Sequence, residues 1–532
     1  MPDAPTGAQQ QLDAIRSGYA TDAPCLDLGA ALDDTGAHAD APVRVPLSTL
    51  NRHGLVAGAT GTGKTKTLQA LAEQLSAQGV PVFLTDVKGD LSGISQPGED
   101  NPKVAERAAS VGQQWTPTAS PTEFFSLGGQ GRGVPIRATV TSFGPTLLSK
   151  VLGLNATQES SLGLVFHYAD SHGLALLDLK DLREVVLHLT SPEGKEELAS
   201  IGGLSPQTAG VILRELTTFA NEGAEVFFGE PEFDTADLLR TTEDGKGVVS
   251  CLELSEVQQQ PRLFSTFLMW LLADLFQDLP EVGDAEKPRL VFFFDEAHLL
   301  FEGASKEFLD SIEQTVRLIR SKGVGIFFVT QSPKDIPSDV LAQLGNRVQH
   351  ALRAFTPDDA KALKAAVRTY PKSGYDLEQL LTQLATGEAV VTVLSETGAP
   401  TPVAWTRMRA PQSLMGPAPE SAVDALVSAS PRLAAYGEAV DRESAYELLH
   451  GRLDRAAEAG PGEDAPERSS QEHSRGEQPR DDGRGQRSRR DEGGFLGSVM
   501  ENPAVRSMMR SAGSALGREI TRSIFGTSRR RR

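Results

Sequence analysis

The chain has 532 residues, 39% of them hydrophobic, with a net charge of −19 and two cysteines. That length accommodates more than one domain around a sizeable core, and Cys25 and Cys251, far apart and outside any CxxC or Cys/His cluster, argue against a disulfide framework and against a zinc site. The acidic balance argues against a surface generally coated by nucleic acid, and no apolar run approaches a membrane span, so a cytoplasmic protein without a transmembrane segment is expected.

Residues 1–42 read as an N-terminal extension. From Val43 to Arg409 short β-rich runs alternate with helical patterns, the mark of an α/β core with a mainly parallel sheet covered by helices on both faces. Strands are expected at 54–57, 80–86, 134–143, 248–254, 290–294, 325–330 and 347–353. The core falls into two parts, 43–154 and 234–410. Between them, at 155–233, strand signals fade and helical spacing takes over, so a helical insertion is predicted. Segments 388–395 and 401–408 flank a turn-rich stretch and predict a β-hairpin that closes the sheet.

Residues 411–455 read as a helical extension. The stretch 456–494 is rich in Gly, Ser, Pro and charged residues, which cannot bury enough apolar surface to offset ordering entropy, and is expected to be a disordered linker. In 495–532, Val505, Met509, Ala512, Leu516, Ile520 and Ile524 recur at helical spacing, with Arg506, Arg510, Arg518 and Arg522 on another face. This predicts a basic amphipathic helix followed by an Arg tail. Three roles stay open for it: a membrane-surface anchor, an arm for nucleic acid or a partner protein, or a dock onto the acidic body of its own chain. The last is favoured, because an opposite charge on the same chain is present at high effective concentration.

The segment Gly58-Ala59-Thr60-Gly61-Thr62-Gly63-Lys64-Thr65 fits GxxxxGK[ST], follows an apolar strand and opens a helical run. Glycines let backbone N–H groups wrap phosphates, Lys64 reaches the β and γ oxygens, and the Thr65 hydroxyl suits magnesium. The run Leu290-Val291-Phe292-Phe293-Phe294-Asp295-Glu296 is a buried-strand pattern ending in two carboxylates, as expected where Asp295 holds magnesium and Glu296 polarises the attacking water. The next strand ends in Thr330-Gln331, which makes Gln331 a candidate sensor of the γ-phosphate or of that water. Asp86, Lys88 and Asp90 follow another strand and read equally well as supporting groups of the site or as solvated turn residues. ATP with Mg2+ is the expected ligand; no NKxD-like guanine-reading motif is present.

On HGLVAGATGTGKTKTL, FLTDVKGDLSGI, LVFFFDEAHLLF, VRLIRSKGVGIFFVTQSPKDIPSDVLAQLGNRVQHALRAFTPDD and GREITRSIFG, the chain resembles HerA/FtsK-type motor ATPases, in particular the bacterial YjgR-type proteins with a HerA-like C-terminal domain. The resemblance implies a RecA-like P-loop NTPase core, a homo-hexameric ring, DNA as a candidate partner, and an arginine finger supplied to the neighbouring subunit. Arg320, eleven residues before Gln331, stands in the matching place, with Arg317, Arg347 and Arg353 as substitutes. HerA proteins carry an N-terminal β-barrel, for which the roughly fifty residues before Gly58 are too few. Asp295-Glu296-Ala297-His298 also spells DEAH, but only about 115 residues separate His298 from the predicted linker, too few for the second lobe of such helicases. Two functions follow: an ATP-driven DNA translocase of helicase-like type, or an ATPase that remodels or scaffolds protein partners. Lys88, Lys322 and Lys334 are scattered candidates for DNA contact.

Overall fold

The computed structural model describes residues 7–458 except 200, 201, 258, 259, 284, 303 and 305. The predicted linker and basic helix therefore lie outside the described residues. Within them, twelve strands form one sheet: β1 (Cys25–Asp33), β2 (Gly36–Pro46), β3 (Gly54–Ala57), β4 (Val82–Asp86), β5 (Thr122–Leu127), β6 (Val134–Ile136), β7 (Val249–Glu253), β8 (Leu290–Phe294), β9 (Val324–Thr330), β10 (Asn346–Gln349), β11 (Glu388–Thr392) and β12 (Ala404–Met408). Their spatial order is β2-β1-β12-β11-β10-β3-β9-β8-β4-β7-β5-β6. From β10 to β6 all neighbours run parallel, and from β10 to β2 all run antiparallel.

The central strands are apolar along their length because both faces are covered. Alternation sorts their side chains: Phe83, Phe292, Phe294, Ile326 and Phe328 enter one core, while Leu84, Val291, Phe293, Phe327 and Val329 enter the other. Helix Lys64–Ala77 covers the second face, with Leu68, Leu71, Ala72 and Leu75 in that core. Helix Pro261–Asp278 covers the first, through Phe267 and Trp270 among others.

The helices at 156–221 share the first core. Leu162, Val165, Leu182, Val186, Ile212 and Phe219 belong to the same buried cluster as Phe292. Their starts are set by side-chain caps on Asn155, Asp178 and Ser205. Buried Asp181 ties this region to the last described helix, accepting from the N–H groups of Leu177 at 2.8 Å and Tyr446 at 3.0 Å.

Three expectations need correction. Residues 1–42 are not merely an extension, since helix Gly7–Gly18 buries Leu12 and Ile15, and β1 and most of β2 join the sheet. The β11–β12 hairpin, paired at Val390↔Trp405, does not close the sheet, because β12 pairs with β1 and leaves β2 at the edge. The expected strand at 134–143 stops at Ile136; Thr139 then caps a helical turn, its side chain accepting from the Ser142 N–H at 3.1 Å.

Phe292 touches Phe83 and Phe294 with ring centroids at 5.2 and 5.5 Å and is fully buried. Phe292→Ala should destabilise the protein by about 3–5 kcal/mol through the cavity left in the first core. Urea denaturation followed by circular dichroism measures it, and a loss below about 1 kcal/mol would mean that the neighbouring rings close the gap.

Candidate active site

Strands β4, β8, β9, β3 and β10 are parallel neighbours, so their carboxyl ends share one edge of the sheet, where open α/β sheets bind ligands. The P-loop leaves β3 there. The Gly58 N–H donates to the Thr330 carbonyl at 3.2 Å and the Ala59 N–H to the Ala351 carbonyl at 2.8 Å, tying the loop to the ends of both flanking strands. A Cβ on Gly58 would lie 2.5 Å from His350 Cβ, so only glycine fits. Thr62 Oγ1 donates to the Ala59 carbonyl at 2.7 Å, and the Gly387 N–H donates to the Thr62 carbonyl at 2.9 Å. Thr60 and Gly61 are exposed at the tip. Gly63, at φ 115°, precedes helix Lys64–Ala77 and offers no side-chain cap. Its first-turn N–H groups are of the kind that receive an anion.

Lys64 is buried and its Nζ donates to the Ala59 carbonyl at 3.3 Å. Burial holds its pKa below the ordinary lysine value, with Glu296 and Asp295 pulling the other way. Thr65, half-buried, stands in the first turn of the helix.

Asp295 and Glu296 follow β8. The Asp295 N–H donates to Thr85 Oγ1 at 2.9 Å, which fastens this strand end to β4. Burial first, then the Glu296 charge, pushes the Asp295 carboxyl up to about 7. Glu296 has φ 47° and ψ 47°, a left-handed conformation that costs a non-glycine residue about 1 kcal/mol or more and persists where surrounding contacts fix it. Those contacts converge on its carboxylate: an ion pair with Lys88, Gln331 Nε2 at 3.4 Å and His298 Nδ1 at 3.3 Å. Burial alone would raise the Glu296 pKa; the Lys88 contact, with Gln331 and His298, brings it below the ordinary value. Lys88 is delivered by the turn after β4, shaped by Asp86, which accepts from the N–H groups of Gly89 at 2.7 Å and Leu91 at 3.0 Å. Burial pushes the Asp86 carboxyl up to about 6.

The structure thus brings Lys64, Asp295, Glu296 and Gln331 to one sheet edge beside the loop, and it adds Lys88, which the sequence left undecided. Arg320 is elsewhere. It sits before β9, at the opposite end of the sheet from its own P-loop, and a strand of seven residues separates the two ends by roughly 20 Å. Arg317 lies 4.0 Å from Glu313, and Arg347 donates to Thr369. Arg353, by contrast, lines a cleft of about 780 Å³ together with Ala59, Thr60, Gln331 and His298.

No cluster of three or more His, Cys, Asp or Glu suited to a metal occurs among the described residues. The Thr65 hydroxyl and the Asp295 carboxylate are hard oxygen donors of the kind magnesium takes alongside water and phosphate oxygens.

His350 gave no signal in the sequence. Wholly buried behind Gly58, it places Nδ1 2.9 Å from the Glu388 carbonyl and Nε2 2.9 Å from Thr67 Oγ1. A carbonyl only accepts, so Nδ1 carries the proton and Nε2 accepts from the threonine. The ring links β10, β11 and the P-loop helix.

A glycine-rich phosphate loop, a strand ending in Asp-Glu and an intervening strand ending in Gln, on a mainly parallel sheet covered by helices, define a RecA-like P-loop NTPase. The chain belongs to the helicase HerA-like C-terminal family, whose model matches residues 33–532. It is 24% identical over 359 residues to the DNA double-strand break repair helicase HerA of Sulfurisphaera tokodaii, covering 66% of this chain and 64% of that one. With the HerA of Sulfolobus acidocaldarius it shares 22% over 354 residues, covering 66% and 64%. The chain thus matches somewhat less than two thirds of these relatives' length. The fold is similar to that of the bacterial conjugative coupling protein TrwBΔN70 in its unbound form, with a TM-score of 0.50 at 14% identity over 76% of this chain and 93% of that one. The same coupling protein in complex with a non-hydrolysable GTP analogue gives 0.50 at 15% identity over 76% and 94%. No helix among the described residues is long and apolar enough to cross a membrane.

Burial lowers the His350 pKa to about 4. The fold keeps the neutral ring, so its contribution is complete above the unfolded pKa of about 6.5 and is lost as pH falls from there towards 4, at about 1.4 kcal/mol per unit. His350→Asn should flatten the fall of unfolding free energy over that window by roughly 2–3 kcal/mol. Denaturant titrations at pH 4.5 and 7 measure this; equal slopes in the two proteins would show that the ring does not resist protonation.

Proposed function

We propose that the chain binds ATP with Mg2+, hydrolyses it, and uses the cycle to translocate along DNA as a homo-hexameric ring. The observation that carries the hydrolytic reading is the convergence of Lys88, Gln331 and His298 on the Glu296 carboxylate, beside the P-loop and at the end of the strand next to Gln331. In this reading the loop 58–65 cradles the phosphates through backbone N–H groups, and Lys64 leaves the Ala59 carbonyl for the β and γ oxygens. Thr65 and Asp295 would hold magnesium, which would supply positive charge against that developing on the phosphates. Glu296, kept anionic, orients and deprotonates the attacking water. Gln331 touches Glu296 and a γ-phosphate in turn, and so reports whether the site is filled.

Arg320 serves the neighbouring subunit. Its place before β9, away from its own P-loop, is compatible with a role in trans, which needs a neighbouring copy. DNA as substrate rests on family membership and on the two HerA relatives. The acidic net charge of −19 favours the second reading, a motor coupled to protein partners.

Steady-state ATP hydrolysis with and without duplex and single-stranded DNA separates the two. DNA should raise turnover severalfold, whereas indifference to DNA would move the assignment to protein partners. Glu296→Gln should lower kcat by at least about 100-fold while ATP binding survives, and Lys64→Ala should lose binding. Wild-type turnover in Glu296→Gln would remove the general base from Glu296. Arg320→Ala should lower kcat by about 1000-fold, with sedimentation of the ring unchanged.

A further inference from the structure

The cleft beside the P-loop is larger than phosphates and catalytic groups require. Because β3 stands between β9 and β10 in the sheet, residues that follow β8 and β9 border one side of the loop and residues that follow β10 border the other. Gln331 and His298 belong to the first side; Leu352, Phe355 and Leu363 belong to the second, and the loop residues Ala59 and Thr60 share the same wall. The total volume of about 780 Å³ lies within the range of small-molecule sites.

The second side gathers the apolar groups of the cleft, Leu352, Phe355, Ala362 and Leu363, with Arg353 and Asp359 among them. Leu352 and Leu363 are buried, at 8% and 7% exposure, yet Phe355 is 86% exposed, the most exposed large hydrophobic residue among those described. Its backbone is held. Thr356 caps helix Pro357–Val367, accepting from the Asp359 N–H at 3.1 Å, while the Asp359 carboxylate accepts from the Thr356 N–H at 3.1 Å. Asp359 also lies 3.8 Å from Lys334. This carboxylate, the acidic group bordering the apolar end, is therefore already engaged. An aromatic ring on a fixed stem, open to water beside a phosphate-binding loop, suits a flat ring carried by the same ligand.

We propose that the apolar end of the cleft is the nucleobase site, with Phe355 as its stacking face, and that it holds purines by stacking and not by reading their edges. This rests on the nucleotide reading of the P-loop. Stacking is tolerant of base identity because every base has a π face, so adenine and guanine are both accepted.

The test uses the full chain with magnesium and three probes: ATP, GTP and inorganic tripolyphosphate, which has no base. In Phe355→Ala the KM for ATP and for GTP should rise about tenfold, the loss expected for one base–aromatic stack. The kcat should stay within about twofold and the tripolyphosphate Kd should not change. Phe355→Trp should restore KM, and its added fluorescence should respond to ATP and not to tripolyphosphate. In the wild type, ATP and GTP should differ by less than about fivefold. An unchanged KM in Phe355→Ala overturns the stacking assignment, and a change in sedimentation in that variant would then assign the ring to contact between copies. An equal loss of tripolyphosphate binding also overturns it, since the defect would lie in the loop. Discrimination above about fiftyfold overturns the claim that base edges go unread. Failure of the wild type to bind any of the three probes is distinguishable from all of these, and sinks the nucleotide reading itself.

Discussion

Parallel register across β3, β9, β8 and β4 is the constraint from which the site follows. Ala57 pairs with Thr330, Phe328 with Phe294, and Phe294 with Thr85. Residues just beyond these pairs therefore leave the sheet together: Gly58 from β3, Gln331 from β9, Asp295 and Glu296 from β8, Lys88 from the turn after β4. A slip of one residue in any strand would exchange its two buried faces, moving Phe292 and Phe294 out of one core and Val291 and Phe293 into it. The two hydrophobic cores thus fix the chemistry at a distance. Their rings enforce the alignment that places a carboxylate beside a lysine and an amide.

Two neighbouring carboxylates at the end of β8 are pushed in opposite directions by what surrounds them. Asp295 is raised to about 7, chiefly by burial and then by its neighbour's charge, whereas Glu296 is held low because Lys88, Gln331 and His298 meet it. Environments that push the pKa values of neighbouring titratable groups apart commonly mark groups with different chemical tasks. The strained backbone of Glu296 belongs to the same arrangement, since a regular strand continuation at φ near −120° would aim the side chain differently.

The sequence exposes those parts of this design that are local. The P-loop and the Asp-Glu strand each occupy fewer than ten consecutive residues, with strand and helix signals adjoining, and they can be read without knowing what lies across the sheet. Gln331 could be nominated because it ends a buried strand. The missing pieces are those made by distant pairing. β1 contains LDLGAALD and β2 contains GAHADAPVRVP, weak as strands in isolation and stabilised by partners such as Arg407 opposite Ala30. β5, TEFFSL, is short and follows a run of Thr, Ser and Pro. Lys88 could be noticed but not placed, because its partner lies 208 residues away. His350 and Phe355 fall inside a segment quoted for the resemblance, yet no chemical pattern singles them out: one acts through a fixed pair of hydrogen bonds, the other through exposure, and neither property is written in neighbouring residues.

The support of the P-loop also limits how the chain can be divided. Its Thr62 carbonyl is met by the Gly387 N–H, Arg107 donates to the Gly387 carbonyl at 3.0 Å and the Thr386 carbonyl at 3.0 Å, and Glu388 supplies the acceptor for His350. A polypeptide cut before residue 385 would keep every signature segment from Gly58 to Gln331 and still lack the floor under its own phosphate loop. The support of the P-loop therefore reaches beyond its motifs: it includes the β11–β12 hairpin and, through Gln69 and Glu73 of the loop's helix, residues 412–414 as well.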